Sequence, residues 1–248
     1  MKLTTASEGT CGEEELYHDV SQYQRLIGKI LYLTITRPDI AYTVQTLNQF
    51  LQRPKVQHWQ AALRVLRYHK NQPGLGLLMS SQKNMKLTGF CDSDWVACPN
   101  TRRSVTGYLL KLGDYLISWK SKKQPTVSRS SAEAEYKSLA CLTAEIVWVT
   151  NLFKELGINV KEPVAVFCDN KAAIQIVEID CHFIREKIQQ GLISTIYIPT
   201  GDQQADILTK ALGKLQHDFL LSKLGVLNVF TTPSLRRSIE DNVDRGVT

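Results

Sequence analysis

The stretch that decides the fold is Leu87-Thr-Gly-Phe-Cys-Asp-Ser-Asp94, a short apolar run that ends in acidic residues. A second run of the same kind, Val164-Ala-Val-Phe-Cys-Asp169, ends in the same way. Short apolar runs bounded by polar residues are typical of buried strands. If the two strands lie side by side in one sheet, Asp92 and Asp169 meet at one edge of it.

The elements around these runs predict an α/β fold. Residues 105–112 and 115–119 are short and rich in β-formers, and Gly113-Asp114 between them predicts a hairpin. The later elements alternate between helix and strand: a long helix, then 164–168, 171–190 closed by Gly191, 193–198, and helical turns at 204–224. This order predicts a mixed sheet flanked by helices.

The first third of the chain has a helical pattern instead. Leu26, Ile27, Ile30 and Leu31 repeat at helical spacing and stop before Pro38, and two more helices are expected at 40–50 and up to Gln72. We therefore expect a polar lead-in, a small helical segment, an α/β domain and a polar tail, at 1–20, 21–80, 84–224 and 225–248.

Two further acids complete a candidate metal site. Glu135 lies in the first turn of the long helix, and Asp206 in the first turn of a short one. Together with Asp92 and Asp169 they would form a pocket of oxygen ligands, which Mg²⁺ prefers. Buried like charges are costly unless a cation neutralises them, so the cluster implies a metal. Taken singly, each acid has a structural alternative as a helix cap or first-turn carboxylate.

The phase of the long helix separates Glu135 from Glu133. Its apolar residues follow one another at spacings of three and four, at Leu139, Leu142, Ile146, Val149, Phe153 and Leu156. Glu135 precedes Leu139 by four residues and shares this face. Ser130-Ser-Ala-Glu133 reads as a capping box, so Glu133 has a structural role. Between Asp92 and Asp94, which share a side of an extended strand, Asp92 is preferred and Asp94 stays an alternative.

Composition limits the class of protein. Of the 248 residues, 43% are hydrophobic and 22% charged, which predicts a globular chain. The long apolar runs carry nearby charges and the start lacks an apolar signal core, so neither a membrane span nor secretion is expected. Six cysteines without paired spacing indicate free thiols in a reducing intracellular compartment, cytoplasmic or nuclear. The net charge of +6 favours a polyanionic partner.

Six motifs in fixed order give a resemblance to a known family. They are Gly89-Phe-Cys-Asp-Ser-Asp-Trp95, Thr101-Arg-Arg-Ser-Val-Thr-Gly-Tyr108, Ser118-Trp-Lys-Ser-Lys-Lys123, Ser130-Ser-Ala-Glu-Ala-Glu-Tyr136, Cys168-Asp-Asn-Lys-Ala-Ala173 and Asp202-Gln-Gln-Ala-Asp-Ile-Leu-Thr-Lys-Ala-Leu212. Together they resemble the ribonuclease H domain of copia-type LTR retrotransposon Pol polyproteins. Tyr23-Gln-Arg-Leu-Ile-Gly28 and Thr36-Arg-Pro-Asp-Ile-Ala-Tyr42 resemble the segment that joins the reverse transcriptase to that domain.

The resemblance implies a ribonuclease H fold and a ribonuclease H activity. The substrate would be the RNA strand of an RNA–DNA hybrid, hydrolysed with two Mg²⁺ ions held by Asp92, Glu135, Asp169 and Asp206. Basic residues near these acids are expected to contact phosphates without reading sequence. They are Arg102, Arg103, Lys120, Lys122, Lys123 and Arg129, for which a solvated loop is the alternative.

The sequence also departs from the family pattern. Val177 runs straight into Glu178, where copia-type domains usually carry a short basic, histidine-containing segment. The stretch Pro199-Thr-Gly-Asp-Gln-Gln-Ala205 lacks the histidine that many ribonucleases H place before the last acid. The reverse transcriptase polymerase unit is absent, so we expect a piece of a longer polyprotein or a degenerate copy. The rival functions are a nucleic-acid-binding remnant without activity and an inert structural remnant.

Overall fold

The protein is described from a computed structural model that covers residues 15–79, 84–180 and 182–230. Its strands are β1 Leu75–Leu77, β2 Leu87–Asp94, β3 Val105–Leu112, β4 Tyr115–Lys123, β5 Val164–Cys168, β6 Ile193–Tyr197 and β7 Val226–Asn228. Its helices are α1 Val20–Leu33, α2 Ala41–Leu47, α3 Val56–Asn71, α4 Ser131–Glu155, α5 Lys171–Asp180, α6 His182–Gln189 and α7 Lys214–Lys223. Short 3₁₀ turns lie at Pro38–Ile40, Asn48–Phe50, Thr200–Asp202 and Gln204–Leu208.

Five of the strands form one mixed sheet in the order β4-β3-β2-β5-β6. The strands β2, β3 and β4 are antiparallel neighbours, whereas β5 runs parallel to β2 and β6 parallel to β5. The central strand β2 pairs Thr88 with Ala165 of β5, so the carboxyl ends of both strands lie at the same edge. This confirms the predicted fold class, a ribonuclease H-like mixed sheet flanked by helices.

The helix α4 covers one face of the sheet. Leu139, Leu142, Ile146 and Val149 are buried against side chains of β2, β3 and β5. Apolar residues at this spacing form a stripe that removes one side of the helix from water, as the sequence pattern predicted. The last member of the predicted stripe, Leu156, is 64% exposed because the helix ends before it.

The opposite face carries the turn Gln204–Leu208, α7 and the small sheet made by β1 and β7. Gly107 of β3 permits this packing. A Cβ atom at Gly107 would stand 2.4 Å from Thr209 Cγ2 and 3.0 Å from Leu208 Cβ. The segment from Gln204 to Thr209 therefore lies directly on the sheet, beside the strand end of β2.

The helices α1, α2 and α3 pack around a buried cluster of their own. Arg37 and Asp39 make a buried ion pair at 2.7 Å, and the Tyr68 hydroxyl donates to Asp39 at 2.8 Å. These contacts of Arg37, Asp39 and Tyr68 therefore hold the turn after α1 against α3. The segment also contacts the sheet, since the Trp119 indole N–H donates to the Thr34 carbonyl at 3.0 Å.

Several boundaries differ from the expected ones. The strands β1 and β7 pair with each other, although the sequence placed them in the helical segment and in the polar tail at 225–248. The predicted start of the polar tail at residue 225 is therefore too early, because Val226 is buried against the sheet face opposite α4. In the lead-in at 1–20, Tyr17 is buried and stacks on Trp59. Residues 1–14 of the lead-in and 231–248 of the tail lie outside the described residues.

The helix expected at 171–190 is present as α5 and α6, with residue 181 between them outside the described part. Cys91, Cys98 and Cys168 are buried free thiols, whereas Cys141 is exposed on α4. Among the described residues, no helix has the length and apolar character that a membrane span requires.

Candidate active site

The fold brings all four predicted acids to one edge of the sheet. Asp92 is near the end of β2, Asp169 directly follows β5, Glu135 lies in the first turns of α4, and Asp206 in the turn Gln204–Leu208. Asp92 and Asp169 raise the pKa of both Glu135 and Asp206, so the charges of these groups act on one another. The four side chains therefore form one acidic cluster.

Asp92 is almost completely buried, with 1% of its surface exposed. The Thr209 hydroxyl donates a hydrogen bond to its Oδ2 atom, and Lys210 Nζ lies 3.3 Å from its Oδ1 atom. Burial raises the pKa of Asp92, while Lys210 and Thr209 act in the opposite direction. The close approach at Gly107 is what brings Thr209 and Lys210 to this carboxylate.

Lys210 joins Asp92 to Asp206. Its ammonium lies 2.8 Å from Asp206 Oδ1 as well as 3.3 Å from Asp92 Oδ1. The two carboxylates raise the pKa of Lys210 above its ordinary value against the effect of burial, so this side chain is a cation. Sequence analysis missed this residue, although its position four residues after Asp206 in the last motif was a usable signal.

Glu135 is 5% exposed and has one unsatisfied oxygen. The Ser93 backbone N–H donates to Oε1 at 2.9 Å, whereas Oε2 has no hydrogen-bond partner among the described residues. Burial and the charge of Asp92 raise the pKa of Glu135 to about 10. A buried carboxyl without full hydrogen bonding is costly, so the Oε2 atom is available to a hydrogen-bond donor or a cation.

Glu133 has the structural role that the sequence predicted. The Ser130 hydroxyl accepts a hydrogen bond from the Glu133 N–H at 3.1 Å and so caps α4. The Glu133 carboxylate accepts from the Arg129 N–H at 2.8 Å and contacts Lys137 at 2.8 Å. In a capping box the Glu133 carboxylate would accept from the N–H of the cap residue, Ser130, whereas here it accepts from the N–H of Arg129, the residue before it. The Lys137 contact and this bond lower the pKa of Glu133.

Asp169 lies beside a cysteine and is not the cap of α5. The Ala173 N–H donates to the Asn170 side chain at 3.0 Å, so Asn170 caps the helix and the structural alternative for Asp169 does not apply. Donor atoms of Glu135, Cys168 and Asp169 all lie within 4.8 Å of one another. The side chain of Asp169 is half-buried and faces this group.

Two buried glutamines hold the elements of the site together, and sequence analysis named neither. Gln203 donates to the Cys91 carbonyl at 3.0 Å and accepts from the Ala205 N–H at 3.2 Å, which ties the Asp206 turn to β2. Gln124 donates to Thr106 Oγ1 and to the Ala134 carbonyl, both at 3.0 Å. Gln124 thereby fixes the start of α4, one residue before Glu135.

Asp92, and not Asp94, stands among the other acids. The charge of Asp94 raises the pKa of Tyr42 in α2, which places Asp94 towards the helical segment. Asp92 instead has Lys210, Thr209 and the charge of Asp169 around it. The geometry therefore favours Asp92 as the ligand from β2.

The residues of the cluster fit a divalent cation. Lys210 already places a positive charge between Asp92 and Asp206, and Glu135 leaves a buried oxygen unpaired. Burial and the charge of Asp92 raise the pKa of Asp206 to about 6. Carboxylate oxygens are the ligands that Mg²⁺ takes, and a divalent charge would favour the ionised form of each acid.

The predicted phosphate-binding residues do not form one patch. Lys120 and Lys122 are exposed on the α4 face of β4, whereas Lys123 points to the other face and donates to Gln49 at 2.8 Å. The strand β3 lies between β2 and β4, so the backbones of both exposed lysines are roughly 10 Å from the strand that carries Asp92. Arg102 is exposed in the turn before β3, Arg103 is half-buried there, and Arg129 is exposed before α4.

The sheet and the acidic edge define a ribonuclease H-like domain. Over 223 residues the chain is 38% identical to the retrovirus-related Pol polyprotein from transposon RE1 of Arabidopsis thaliana, and 37% identical to that from transposon RE2 of the same plant. Each alignment covers 85% of this chain and 15% of the relative. The chain is therefore a homologue of retrovirus-related Pol polyproteins of copia-type transposons. It spans about 15% of the length of these relatives.

One solved structure is similar in part. It is the N-terminal RNase H domain of a Mycobacterium tuberculosis protein, fused to maltose-binding protein, with 18% identity and a TM-score of 0.34. The likeness covers 56% of this chain and 97% of that one. No protein-family model matches the chain.

Proposed function

We propose that the chain is a ribonuclease H that hydrolyses the RNA strand of RNA–DNA hybrids with two Mg²⁺ ions. The observation that carries the proposal is the convergence of Asp92, Glu135, Asp169 and Asp206 at one edge of the sheet. The homology with Pol polyproteins supports it. The division into a helical segment at 21–80 and a ribonuclease H domain at 84–224 is part of the same proposal, as is an intracellular setting, cytoplasmic or nuclear.

The four acids divide into two pairs that would hold the ions. Asp92 and Asp206 share the Lys210 ammonium, and Glu135 and Asp169 approach each other beside Cys168. Bound divalent ions lower the pKa of an attacking water and stabilise the leaving 3′ oxygen of a phosphodiester. Glu135 would lose its proton when the site is loaded, and Ser93 and the capped start of α4 keep its carboxylate in place.

The substrate would be held by phosphate contacts from the exposed basic residues. Lys120 and Lys122 are the best placed, because they are exposed and lie on the α4 face. Such contacts give affinity and orientation without sequence preference. Lys123 contributes less in this scheme because its ammonium is engaged by Gln49.

The test is cleavage of a hybrid with a labelled RNA strand in the presence of Mg²⁺. The wild-type chain should cut the RNA and leave the DNA intact, and Asp169→Asn should lose this activity while keeping the fold. Asp114→Asn is the matched control. Asp114 is an exposed carboxylate in the β3–β4 turn, at the other end of the sheet, and asparagine is well accepted in turns.

The outcomes separate the proposal from its rivals. Cleavage by Asp169→Asn at the wild-type rate would refute the role of the acidic cluster. Hybrid binding without cleavage by the wild-type chain would indicate a nucleic-acid-binding remnant. A folded chain without binding or cleavage would indicate a structural remnant.

A further inference from the structure

One member of the acidic edge is not an oxygen ligand. Cys168 is the last residue of β5, and its sulfur lies within 4.8 Å of carboxylate oxygens of Glu135 and Asp169. Cys168 is fully buried and is a free thiol. Its hydrogen bond to the Asn170 carbonyl is long, at 3.9 Å, and its other partner is the thiol of Cys91 on the neighbouring strand.

The neighbouring cysteine provides a contrast. Cys91 is buried on the same face of the sheet, and its thiol donates to the Phe167 carbonyl at 3.7 Å. Cys91 therefore belongs to the core between β2 and β5. Cys91 also contacts the Cys168 thiol, but it is the Cys168 sulfur that lies within 4.8 Å of carboxylate oxygens of Glu135 and Asp169.

A second observation independently points to a ligand at this place. Glu135 is 95% buried, as its exposed fraction is 5%, yet its Oε2 atom has no hydrogen-bond partner in the described part of the chain. A buried carboxyl oxygen of this kind needs either a donor or a cation. The Ser93 N–H is bound to Oε1 and does not serve Oε2.

We propose that Glu135, Cys168 and Asp169 form a binding site for a thiophilic divalent ion of the Zn²⁺ class. Thiolate is a soft ligand that Mg²⁺ does not take, whereas Zn²⁺ binds both thiolate and carboxylate. On binding, the Cys168 thiol gives its proton to solvent and its sulfur bonds to the metal. Zinc bonds of about 2.0–2.3 Å require donors closer than 4.8 Å, so the side chains close by about 1 Å.

This site shares two acids with the proposed Mg²⁺ site, so the two kinds of ion would compete. That competition rests on the proposed function, whereas the thiophilic site rests on the three side chains alone. A bound Zn²⁺ would occupy Glu135 and Asp169 and so exclude Mg²⁺ from them. Thiophilic ions bound at Cys168 would therefore inhibit the proposed cleavage of hybrids.

The experiment uses Cd²⁺ as the probe, because a Cd²⁺–thiolate bond gives an ultraviolet charge-transfer absorbance. The reduced full chain is titrated with Cd²⁺ and compared with Cys168→Ser and with Cys141→Ser, the exposed thiol that serves as control. The absorbance should be lost in Cys168→Ser and unchanged in Cys141→Ser. Asp169→Asn keeps the sulfur, so it should retain the absorbance with an affinity at least about tenfold weaker.

Far-ultraviolet circular dichroism confirms that each variant is folded. If Cys168→Ser fails to fold, Asp169→Asn decides by its affinity, because its side chain is only half-buried. An unchanged Cd²⁺ absorbance in Cys168→Ser, or an unchanged affinity in Asp169→Asn, would overturn the inference. A Cys168-dependent absorbance that Mg²⁺ does not weaken would support the thiophilic site and count against the proposed Mg²⁺ site.

Discussion

The metal-free protein should become less stable as the pH rises through neutrality, because of Glu135. Its pKa is about 10 in the folded protein, against an ordinary value of 4.5. Between these values the unfolded chain has released the proton and the folded chain still holds it. The unfolded state then binds fewer protons, so the free energy of unfolding falls as pH rises.

The size of the effect follows from one proton per molecule. Each pH unit in this range lowers the free energy of unfolding by up to about 1.4 kcal/mol. Asp206, with a pKa of about 6, contributes mainly below that pH, so from about pH 6.5 to 8 the difference in slope between the wild type and Glu135→Gln reports on Glu135. Over this window the loss is about 2 kcal/mol, or roughly 4–8 °C in Tm for a chain of this size.

The assay is thermal and urea unfolding at several pH values in the presence of a chelator. Glu135→Gln has no proton to lose, so its stability should change less with pH than that of the wild type. Glu133→Gln is the matched control, because the pKa of Glu133 is lowered and it is ionised in both states throughout the window. An equal pH slope in the wild type and in Glu135→Gln would refute the reasoning. Added Mg²⁺ should reduce the wild-type slope, since the ion displaces the proton.

Three further changes test neighbouring parts of the site. Glu133→Ala should lower stability by about 1 kcal/mol in urea unfolding and spare most hybrid cleavage, and full loss of cleavage would contradict its capping role. Lys210→Met leaves two buried carboxylates unpaired, so it should lower the free energy of unfolding of the metal-free protein by about 3 kcal/mol. Added Mg²⁺ should then raise the Tm of this variant more than that of the wild type, with the exposed Lys214→Met as control, and an equal rise in Tm would contradict the reasoning. Replacing both Lys120 and Lys122 with alanine should flatten the slope of log affinity for the hybrid against log salt by up to about 0.9 per lost phosphate contact, as measured by fluorescence anisotropy. Lys123→Ala is the control, and an unchanged slope in the double variant would place the binding surface elsewhere.

The sheet could be predicted because its signals are local. The run at β5 is apolar throughout, that at β2 is mainly apolar as far as Cys91, and the β3–β4 hairpin is marked by Gly113 in its turn. The pair β1 and β7 could not be predicted in this way. Each strand has three residues, too short for a periodic pattern, and the partners are separated by about 150 positions.

The candidate site was predictable in its acids and not in what surrounds them. Asp92 lies near the end of β2, Asp169 follows β5, and Glu135 shares the apolar face of α4, so their positions follow from the period of each element. The position of Lys210 between Asp92 and Asp206 depends on the packing of a 3₁₀ turn against Gly107. The spacing of four residues indicates the contact of Lys210 with Asp206, but no periodic pattern indicates its contact with Asp92. The same holds for Asn170, which takes the cap that the sequence left open for Asp169.

The acidic edge is a place where the folded chain departs from the rule that buried charges are paired. The Lys210 ammonium offsets the charges of Asp92 and Asp206. The group formed by Glu135, Cys168 and Asp169 contains no cationic side chain. Burial and the charge of Asp92 raise the pKa of Glu135 to about 10, so at neutral pH the metal-free site is without its full negative charge. Because a divalent ion would bind the ionised form, metal binding and loss of this proton are one linked event. Stability without metal and affinity for metal are therefore set by the same carboxyl group, and a change that relieves one must alter the other.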